Sequence, residues 1–407
     1  MYPFAYDWRL DVHAAARELA RHIEAVVARV RGSSADVDAV GADRPPGGVI
    51  LVAHSMGGLV VRALLRMVAD DELDGGTRAS REVGELIHGV VEVGVPARGS
   101  AKAVWAAAGR LPEFLAVSSP LAGLLAGRLA GLAAAAGRMP GVYDLLPTYP
   151  AVWVDDGVTH LDRDRLTSWG ADGVLVDAAL ARRKADAALT PGVVRDRFGE
   201  LPWSRVVGDG QPTVATVEID EHGAPRPSKT RYGTTGSGGL AWDPVSGAVA
   251  RVEAFGDGTV PRIPGDDFGW TGALTPTTQR HNSLQDHWST VGQARAIAGR
   301  SEFAGKPLGA GEDKKDEEPV GIDPPPFAVA GEVVRVDVTG LKNTGTPFYM
   351  RHVGGEIAAE RRGVEWVDRD TYTAVALFRP RLPGLYEVRL GVEPYVRELV
   401  GVVDGGG

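Results

Sequence analysis

The sequence predicts an α/β protein: a doubly wound, mostly parallel sheet with a helical cap, followed by a small C-terminal all-β sandwich. Two continuous apolar runs, residues 48–53 and 86–94, are separated by a helical pattern. This order is typical of βαβ units, in which helices cover both faces of the sheet. Strict alternation of apolar and polar residues after residue 326 predicts the sandwich. A chain of 407 residues has room for both parts, because single cores stop growing at roughly 250 to 300 residues.

The elements of the first part follow in chain order. Apolar residues recur at helical spacing over residues 11–31, and Gly32 ends this predicted helix. The strand over 48–53 comes next, with a helix directly after it. Residues 101 to about 200 are rich in Ala and Leu without strand alternation, so they are predicted to form a helical cap inserted over the sheet. Strand patterns then return in three segments, residues 203–210, 212–220 and 249–261.

Composition divides the chain into three parts. Residues 1–305 are assigned to the α/β domain. Residues 306–326, KPLGAGEDKKDEEPVGIDPPP, are charged and proline-rich, and they hold too few large apolar side chains for a core. They are therefore predicted to be a linker. Residues 327–407 alternate with period 2 between Gly and Pro turns, which is typical of a small, immunoglobulin-like sandwich.

Charge and composition narrow the classes of partner. The formal net charge is -9, the pI is about 5.6, and no basic cluster occurs, which disfavours nucleic acid or an anionic membrane as the main partner. The chain has no cysteine and no ligand cluster at metal spacing, so neither a metal nor an organic cofactor is implied. The first residues lack the features of a secretory signal, and a cytoplasmic location is expected for the chain as written.

One short stretch carries a candidate nucleophile. LVAHSMGGLV, residues 51–60, nearly matches G-x-S-x-G, the strand-to-helix turn that exposes a nucleophilic serine, with Ala53 in place of the first glycine. Ser55 is the candidate nucleophile, and Gly57 and Gly58 are expected to let the strand and the helix approach closely. The backbone N–H of Met56, at the N-terminus of the following helix, is the candidate oxyanion donor. The alternative is a serine that only caps a helix.

A serine hydroxyl needs a histidine to take its proton and an acid to orient that histidine. With this type of turn the chain order is serine, acid, histidine. Of nine histidines, the chain order and the predicted positions of the others in the sheet, cap and sandwich leave His281 and His287. His281 is favoured because it lies at the approach to a helix. Two aspartates occur in G-D-G settings, Asp209 and Asp257. Asp257 is favoured because it directly precedes the histidine segment.

Six segments together resemble the lecithin:cholesterol acyltransferase-like group of α/β-hydrolases, which includes lipases, phospholipases and acyltransferases. They occur in the family's order over residues 1 to about 295: YDWR (6–9), AHSMGGL (53–59), VPARGS (95–100), LLPTYP (145–150), GDGTVP (256–261) and HNSLQ (281–285). The resemblance implies that Ser55 is the nucleophile, Asp257 the acid and His281 the base. It does not extend to the sandwich.

Two of these segments have expected structural roles. YDWR is expected to fix a strand-to-helix turn through an aromatic pair and an ion pair. VPARGS departs from the family's usual G-T-P at Val95 and is expected to shape the floor of the pocket.

In this fold a second oxyanion donor lies on a loop before the YDWR-type segment. The chain begins five residues before Tyr6, so the first strands and that loop are expected to be absent from the sequence as written.

These features predict a serine acyl hydrolase, an esterase or lipase that acts on a small-molecule or lipid ester through an acyl-enzyme. Acyl transfer differs from this reaction only in the acceptor. Apolar cap helices at residues 113–137 are expected to line an acyl pocket or form a lid, and the cap is the candidate for transient contact with a lipid surface. The sandwich is the candidate for binding a protein or carbohydrate partner. The alternative function is a truncated, inactive hydrolase-like binding or effector protein.

Overall fold

A computed structural model gives the architecture of most of the chain. The described residues are 1–33, 48–110, 134–235, 239–263, 273–285, 288–298, 321–325, 327–339, 341, 343, 345–353, 360–369, 373–391 and 396–404. The expected pocket helices at 113–137 fall almost entirely outside these ranges, as does the linker from residue 306 to 320. None of the helices within these ranges has the length and apolar character needed to cross a membrane.

Helices and strands alternate in the first part of the chain and strands alone make up the last part. The helices are Val12–Ser33 (α1), Met56–Ala69 (α2), Gly76–Leu86, Ala103–Ala107, Pro140–Tyr143, Arg163–Ser168, Gly173–Asp186, Pro191–Phe198 and Trp288–Ile297, with a 3-10 helix at His281–Ser283. The strands of the first part are Val49–His54 (β1), Ile87–Val93 (β2), Val152–Val154 (β3), Gly157–Thr159 (β4), Trp203–Gly208 (β5), Gln211–Pro212 (β6), Thr216–Ile219 (β7), Pro225–Ser228 (β8), Thr230–Tyr232 (β9), Arg251–Glu253 (β10), Phe255–Gly256 (β11) and Ala273–Thr277 (β12). The strands of the last part are Gly321–Asp323 (β13), Phe327–Val329 (β14), Val334–Thr339 (β15), Phe348–His352 (β16), Glu360–Arg362 (β17), Val364–Asp368 (β18), Thr373–Phe378 (β19), Gly384–Leu390 (β20) and Val396–Val403 (β21).

A four-stranded sheet forms the centre of the first part. Its order is β1-β2-β5-β12, and every neighbouring pair is parallel. Side chains of β1 alternate between two buried clusters: Leu51 and Ala53 pack with α1 and α2, whereas Ile50 faces the helix Trp288–Ile297. Helices therefore cover both faces, and the carboxyl ends of four parallel strands meet at one edge. Such an edge is where α/β proteins place their chemistry.

The region predicted to be a helical cap also contains strands. β3 and β4 lie within it, and they form a mixed sheet of order β4-β3-β7-β8 with two later strands. Helices of this region share one buried cluster that includes Trp105, Tyr143 and Leu166. The expectation of purely helical material over residues 101–200 is wrong. β3 and β4 are only three residues long, and they pair with each other, while β3 also pairs with β7 from a distant segment.

The last part of the chain contains two sheets, β13-β15-β19-β18 and β14-β21-β20-β16-β17. Their inward side chains form a single buried cluster, with Val336 and Ala376 from the first sheet and Phe348 and Val388 from the second. β13 begins at Gly321, inside the stretch predicted to be a linker, so the sheet starts earlier than expected. β13 pairs with β15, and this pairing was not predicted from the proline-rich composition of the stretch that contains β13. The structure therefore combines helices and sheets, as the sequence predicted.

Candidate active site

Ser55 is the single residue between β1 and α2. Its backbone has φ 55° and ψ -131°, a conformation that is uncommon outside glycine and is typical of strained functional turns. The strand holds it on one side, because the Ser55 N–H donates to the carbonyl of Val93 in β2 at 2.9 Å. The helix holds it on the other, because the Gly58 N–H donates to the Ser55 carbonyl at 3.0 Å. The chain therefore turns sharply at the serine.

The close approach of the strand and the helix at this turn depends on Gly58 and not on Gly57. A Cβ added to Gly58 would lie 2.1 Å from Cγ2 of Val95, which is impossible without rearrangement. A Cβ on Gly57 would lie 3.9 Å from the Tyr6 hydroxyl and 4.0 Å from Cβ of Ala53, which is ordinary contact. The expectation that both glycines provide close approach is therefore wrong for Gly57. Ala53 is accommodated at this turn, because its methyl group would be only in ordinary contact even with a Cβ on residue 57.

Asp257 lies in a tight loop after β11. Its carboxylate Oδ1 accepts hydrogen bonds from the backbone N–H groups of Thr259 and Val260, at 2.9 and 2.6 Å, and the residue is only 2% exposed. The flanking glycines make this loop feasible. A Cβ on Gly256 would lie 2.1 Å from the Val260 carbonyl oxygen, and Gly258 has φ +85°. The loop fixes one carboxylate oxygen and directs the other, Oδ2, toward His281.

His281 opens the 3-10 helix that follows β12. Its Nδ1 lies 2.7 Å from Oδ2 of Asp257, and its Nε2 lies 2.7 Å from Oγ of Ser55. Because a carboxylate accepts, the Nδ1–H donates to Asp257, which leaves Nε2 to accept from the Ser55 hydroxyl. The His281 N–H also donates to the Asp257 carbonyl at 3.0 Å. The three residues form one continuous chain of hydrogen bonds.

The other sequence candidates take different positions. Asp209 lies at the end of β5, where its backbone N–H donates to the carbonyl of Thr277 at 2.7 Å. The Nδ1 of His281 is bonded to Asp257 and not to Asp209. His287 lies outside the described residues. Of the predicted site residues, the structure thus brings together Ser55, Asp257 and His281.

Met56 is the first residue of α2. The first backbone N–H groups of a helix have no acceptor one turn earlier, and they lie at the positive end of the helix dipole. The N–H of Met56 is therefore oriented by the same turn that carries Ser55. The Tyr6 hydroxyl lies near this turn, close to Gly57. Burial raises the pKa of Tyr6, so the phenol stays protonated at neutral pH.

The YDWR segment is organised differently from the expectation. Its ion pair is present, with Nη2 of Arg9 2.7 Å from Oδ2 of Asp7, and Arg9 holds the pKa of that carboxyl below its usual range. The expected aromatic pair within the segment is wrong, because Tyr6 stacks on Phe4 at a ring distance of 5.8 Å. Trp8 is instead 52% exposed. The local sequence fixes the ion pair, while the preceding residues decide the aromatic contact.

Sequence reasoning missed Gly94, the residue after β2. It has φ +55°, and a Cβ on it would lie 2.7 Å from Cδ1 of Leu284, 3.1 Å from Oδ2 of Asp257 and 3.2 Å from Nδ1 of His281. The acid and base therefore meet in the space left by its missing side chain. Its position as a glycine at the end of a buried strand was the sequence signal that could have identified it.

The VPARGS segment and the residues directly after it hold the loop that carries Asp257 (the acid loop), a role that the sequence did not predict. The hydroxyl of Ser100 donates to the carbonyl of Thr259 at 2.7 Å, and Nζ of Lys102 donates to the carbonyl of Gly258 at 2.5 Å. Both acceptors are within two residues of Asp257.

Among the described residues, no group of three or more metal-ligating side chains is arranged to hold a metal ion.

The N-terminal part of the chain matches a known family. Residues 1–110 match the family model described as lecithin:cholesterol acyltransferase, which confirms the predicted resemblance over this part of the chain. The matched range contains Ser55 and ends before Asp257 and His281. No curated protein matches the chain.

Comparison with solved structures gives distant matches, of which two are described. The sulfur carrier protein SoxY from Chlorobium limicola f thiosulfatophilum is 16% identical, covers 21% of this chain and 78% of its own, and has a TM-score of 0.14. An engineered protein from the Northeast Structural Genomics Consortium is 13% identical, covers 88% of this chain and 78% of its own, and has a TM-score of 0.21. At these TM-scores neither structure bears on the fold or the function.

Proposed function

We propose that this protein is a serine acyl hydrolase that cleaves an ester of a hydrophobic acyl group through an acyl-enzyme. The observation that carries the proposal is the pair of 2.7 Å contacts that link Asp257 to His281 and His281 to Ser55. The match of residues 1–110 to the lecithin:cholesterol acyltransferase family supports the choice of ester chemistry.

The mechanism follows from the roles that these contacts allow. Nε2 of His281 takes the proton of the Ser55 hydroxyl as the oxygen attacks the ester carbonyl. Asp257 holds the imidazole in the required tautomer and stabilises the imidazolium that forms. The tetrahedral oxyanion accepts a hydrogen bond from the Met56 N–H. His281 then donates its proton to the leaving alkoxide, which gives the alcohol and an acyl group on Ser55.

Release of the acyl group repeats the same steps with a second nucleophile. His281 removes a proton from water, the resulting hydroxide attacks the acyl-enzyme, and Ser55 regains its proton from His281. An acceptor alcohol in place of water would give acyl transfer. Product analysis with and without an added long-chain alcohol distinguishes the two reactions, because transfer yields a new ester and hydrolysis yields only the free acid.

The fold belongs to the same proposal. We assign the parallel sheet and its covering helices to the α/β-hydrolase fold and the C-terminal part to an immunoglobulin-like sandwich. Support for the first assignment comes from the arrangement of the chain: Ser55 lies between a strand and a helix, Asp257 follows β11, and His281 follows β12.

Labelling with a fluorophosphonate tests the proposed function. The wild-type chain is expected to react at Ser55, which mass spectrometry of the modified peptide locates, and the variant Ser55→Ala is expected not to react. Ser168→Ala is the matched control, since Ser168 lies at the end of an exposed helix and its hydroxyl bonds only to the local backbone. A wild-type chain that is folded but unlabelled would contradict the proposal.

Esters of increasing acyl length test the substrate class. Hydrolysis of p-nitrophenyl esters is expected to give kcat/KM values that rise with acyl length if a hydrophobic acyl group is the substrate, because each buried CH2 adds about 0.8 kcal/mol of binding. A preference for the acetyl ester over all longer chains would contradict this part of the proposal.

A further inference from the structure

The C-terminal sandwich contacts the segment that carries His281. β21 packs against the 3-10 helix His281–Ser283. Arg280, the residue directly before His281, forms an ion pair with Glu398 of β21, with 3.7 Å between Nε and Oε1. Both side chains are only 11% exposed. A buried contact of this kind links the sandwich to the base of the proposed triad.

A second contact links the sandwich to the acid. Gln211 is 1% exposed and forms a parallel β-bridge with Asp257. Its side-chain Nε2 donates to the carbonyl of Thr278 at 2.9 Å. Gly321, the first residue of β13, lies so close that a Cβ added to it would be 2.6 Å from Oε1 of Gln211. Strands of the sandwich therefore lie next to the segment that carries Asp257 and the segment that carries His281.

Arg280 lies between the acid loop and the sandwich. A Cβ on Gly258, next to Asp257, would be 3.5 Å from Nη1 of Arg280, and Glu398 faces the same guanidinium at its Nε. His281 itself is in a 3-10 helix of only three residues. Such short helices have poorer hydrogen-bond geometry than α-helices, so their position depends strongly on neighbouring contacts.

We propose that Glu398 is a positioning residue, which holds the His281 segment through Arg280 and makes the C-terminal sandwich part of the catalytic unit. Its effect on turnover rests on the proposed function, whereas its effect on the position of the segment rests on the contacts alone. A base must keep its 2.7 Å contact with Ser55 to accept the proton, and a misplacement of about 1 Å can cost roughly 10²-fold in rate.

The kinetic test compares Glu398→Gln with Glu387→Gln in the full chain. Glu387, in β20, is the matched control: its side chain is also 11% exposed, and it pairs at 3.4 Å with Arg351, within the sandwich. Glu398→Gln is expected to lower kcat on a p-nitrophenyl ester by roughly tenfold to a hundredfold with little change in KM, which indicates a loss in the chemical step. Equal kcat values for the two variants would overturn the inference.

A double variant tests whether the effect passes through Arg280. If Glu398 acts only on that guanidinium, Arg280→Gln combined with Glu398→Gln loses no more kcat than Arg280→Gln alone. Additive losses would instead mean that Glu398 acts by another route, and the inference would fail.

Hydrogen exchange tests the position without any turnover. The amides of residues 278–284 are expected to exchange faster in Glu398→Gln than in the wild type or in Glu387→Gln, because the His281 N–H bond to Asp257 opens more often. Unchanged exchange would overturn the inference even if the wild type is labelled at Ser55. Faster exchange in Glu398→Gln, together with a wild type that fluorophosphonate does not label, would instead reject the proposed function and keep the positioning role.

Discussion

The two sides of the proposed triad are held in place in different ways. Ser55 is fixed by its own strand and helix, β1 and α2, and its positive φ follows from the turn between them. Asp257 lies in a loop and His281 in a short 3-10 helix, each after a short strand, and contacts from distant parts of the chain hold them. Gly94 leaves the space in which they meet, and Ser100 fixes the loop beside the acid.

This difference indicates which kinds of substitution should disrupt each side of the triad. The nucleophile depends on how closely one strand and one helix approach each other, so it should fail through steric changes within that turn. The acid and base depend on contacts between segments that are far apart in sequence. They should fail through changes in residues that never touch the substrate.

Removal of the Asp257 charge should have the largest effect. Asp257→Asn is expected to lower kcat by about 10⁴-fold, because an amide no longer holds the His281 imidazole in the required tautomer. Asp209→Asn, the same change at the other G-D-G site, is expected to keep a kcat close to that of the wild type. The measurement is ester hydrolysis under saturating substrate. An inactive Asp209→Asn with an active Asp257→Asn would reverse the assignment of the acid.

A methyl group at residue 94 should have the next largest effect. Gly94→Ala places a Cβ within 3.2 Å of both Oδ2 of Asp257 and Nδ1 of His281, and it is expected to lower kcat by roughly 10²-fold. Gly199→Ala is the control, because Gly199 also has positive φ, +67°, but has nothing within 4 Å of an added Cβ. Both positions have positive φ, so similar kcat values in the two variants would show that the space at Gly94 is unimportant.

The nucleophile side is tested by a methyl group at residue 58. Gly58→Ala forces a Cβ against Val95 and is expected to lower the free energy of unfolding by about 1 to 3 kcal/mol. Gly57→Ala should cost less, because a Cβ there meets only ordinary contacts. Urea denaturation gives both values. The double change Gly58→Ala with Val95→Ala should recover part of the loss, and no recovery would mean that the contact with Val95 is not the cause.

Loss of one hydrogen bond to the acid loop should have the smallest effect. Ser100→Ala removes the bond to the Thr259 carbonyl, which contributes about 0.5 to 1.5 kcal/mol, so kcat is expected to fall by about tenfold or less. Ser168→Ala removes a 2.7 Å bond to the Arg165 carbonyl on an exposed helix and should leave kcat unchanged. Equal kcat values for the two variants would indicate that the VPARGS segment does not support the acid.

Much of the first part of the fold follows from local patterns. β1 and β2 are continuous apolar runs, and their observed bounds, Val49–His54 and Ile87–Val93, lie within a residue of the predicted ones. β12 was not predicted, although it directly precedes the base. It is five residues long and contains Pro276, which suits only an edge strand, so its pairing with β5 is decided by the tertiary structure.

The sequence by itself determined the candidate residues, Ser55, Asp257 and His281, because chain order and local turn chemistry limit which residues can serve. Only the tertiary structure decided how they meet. The space at Gly94, the bond from Ser100 and the Arg280–Glu398 pair join segments that lie far apart along the chain. Short-range patterns do not encode such contacts, since they depend on how sheets and loops pack after each element has formed.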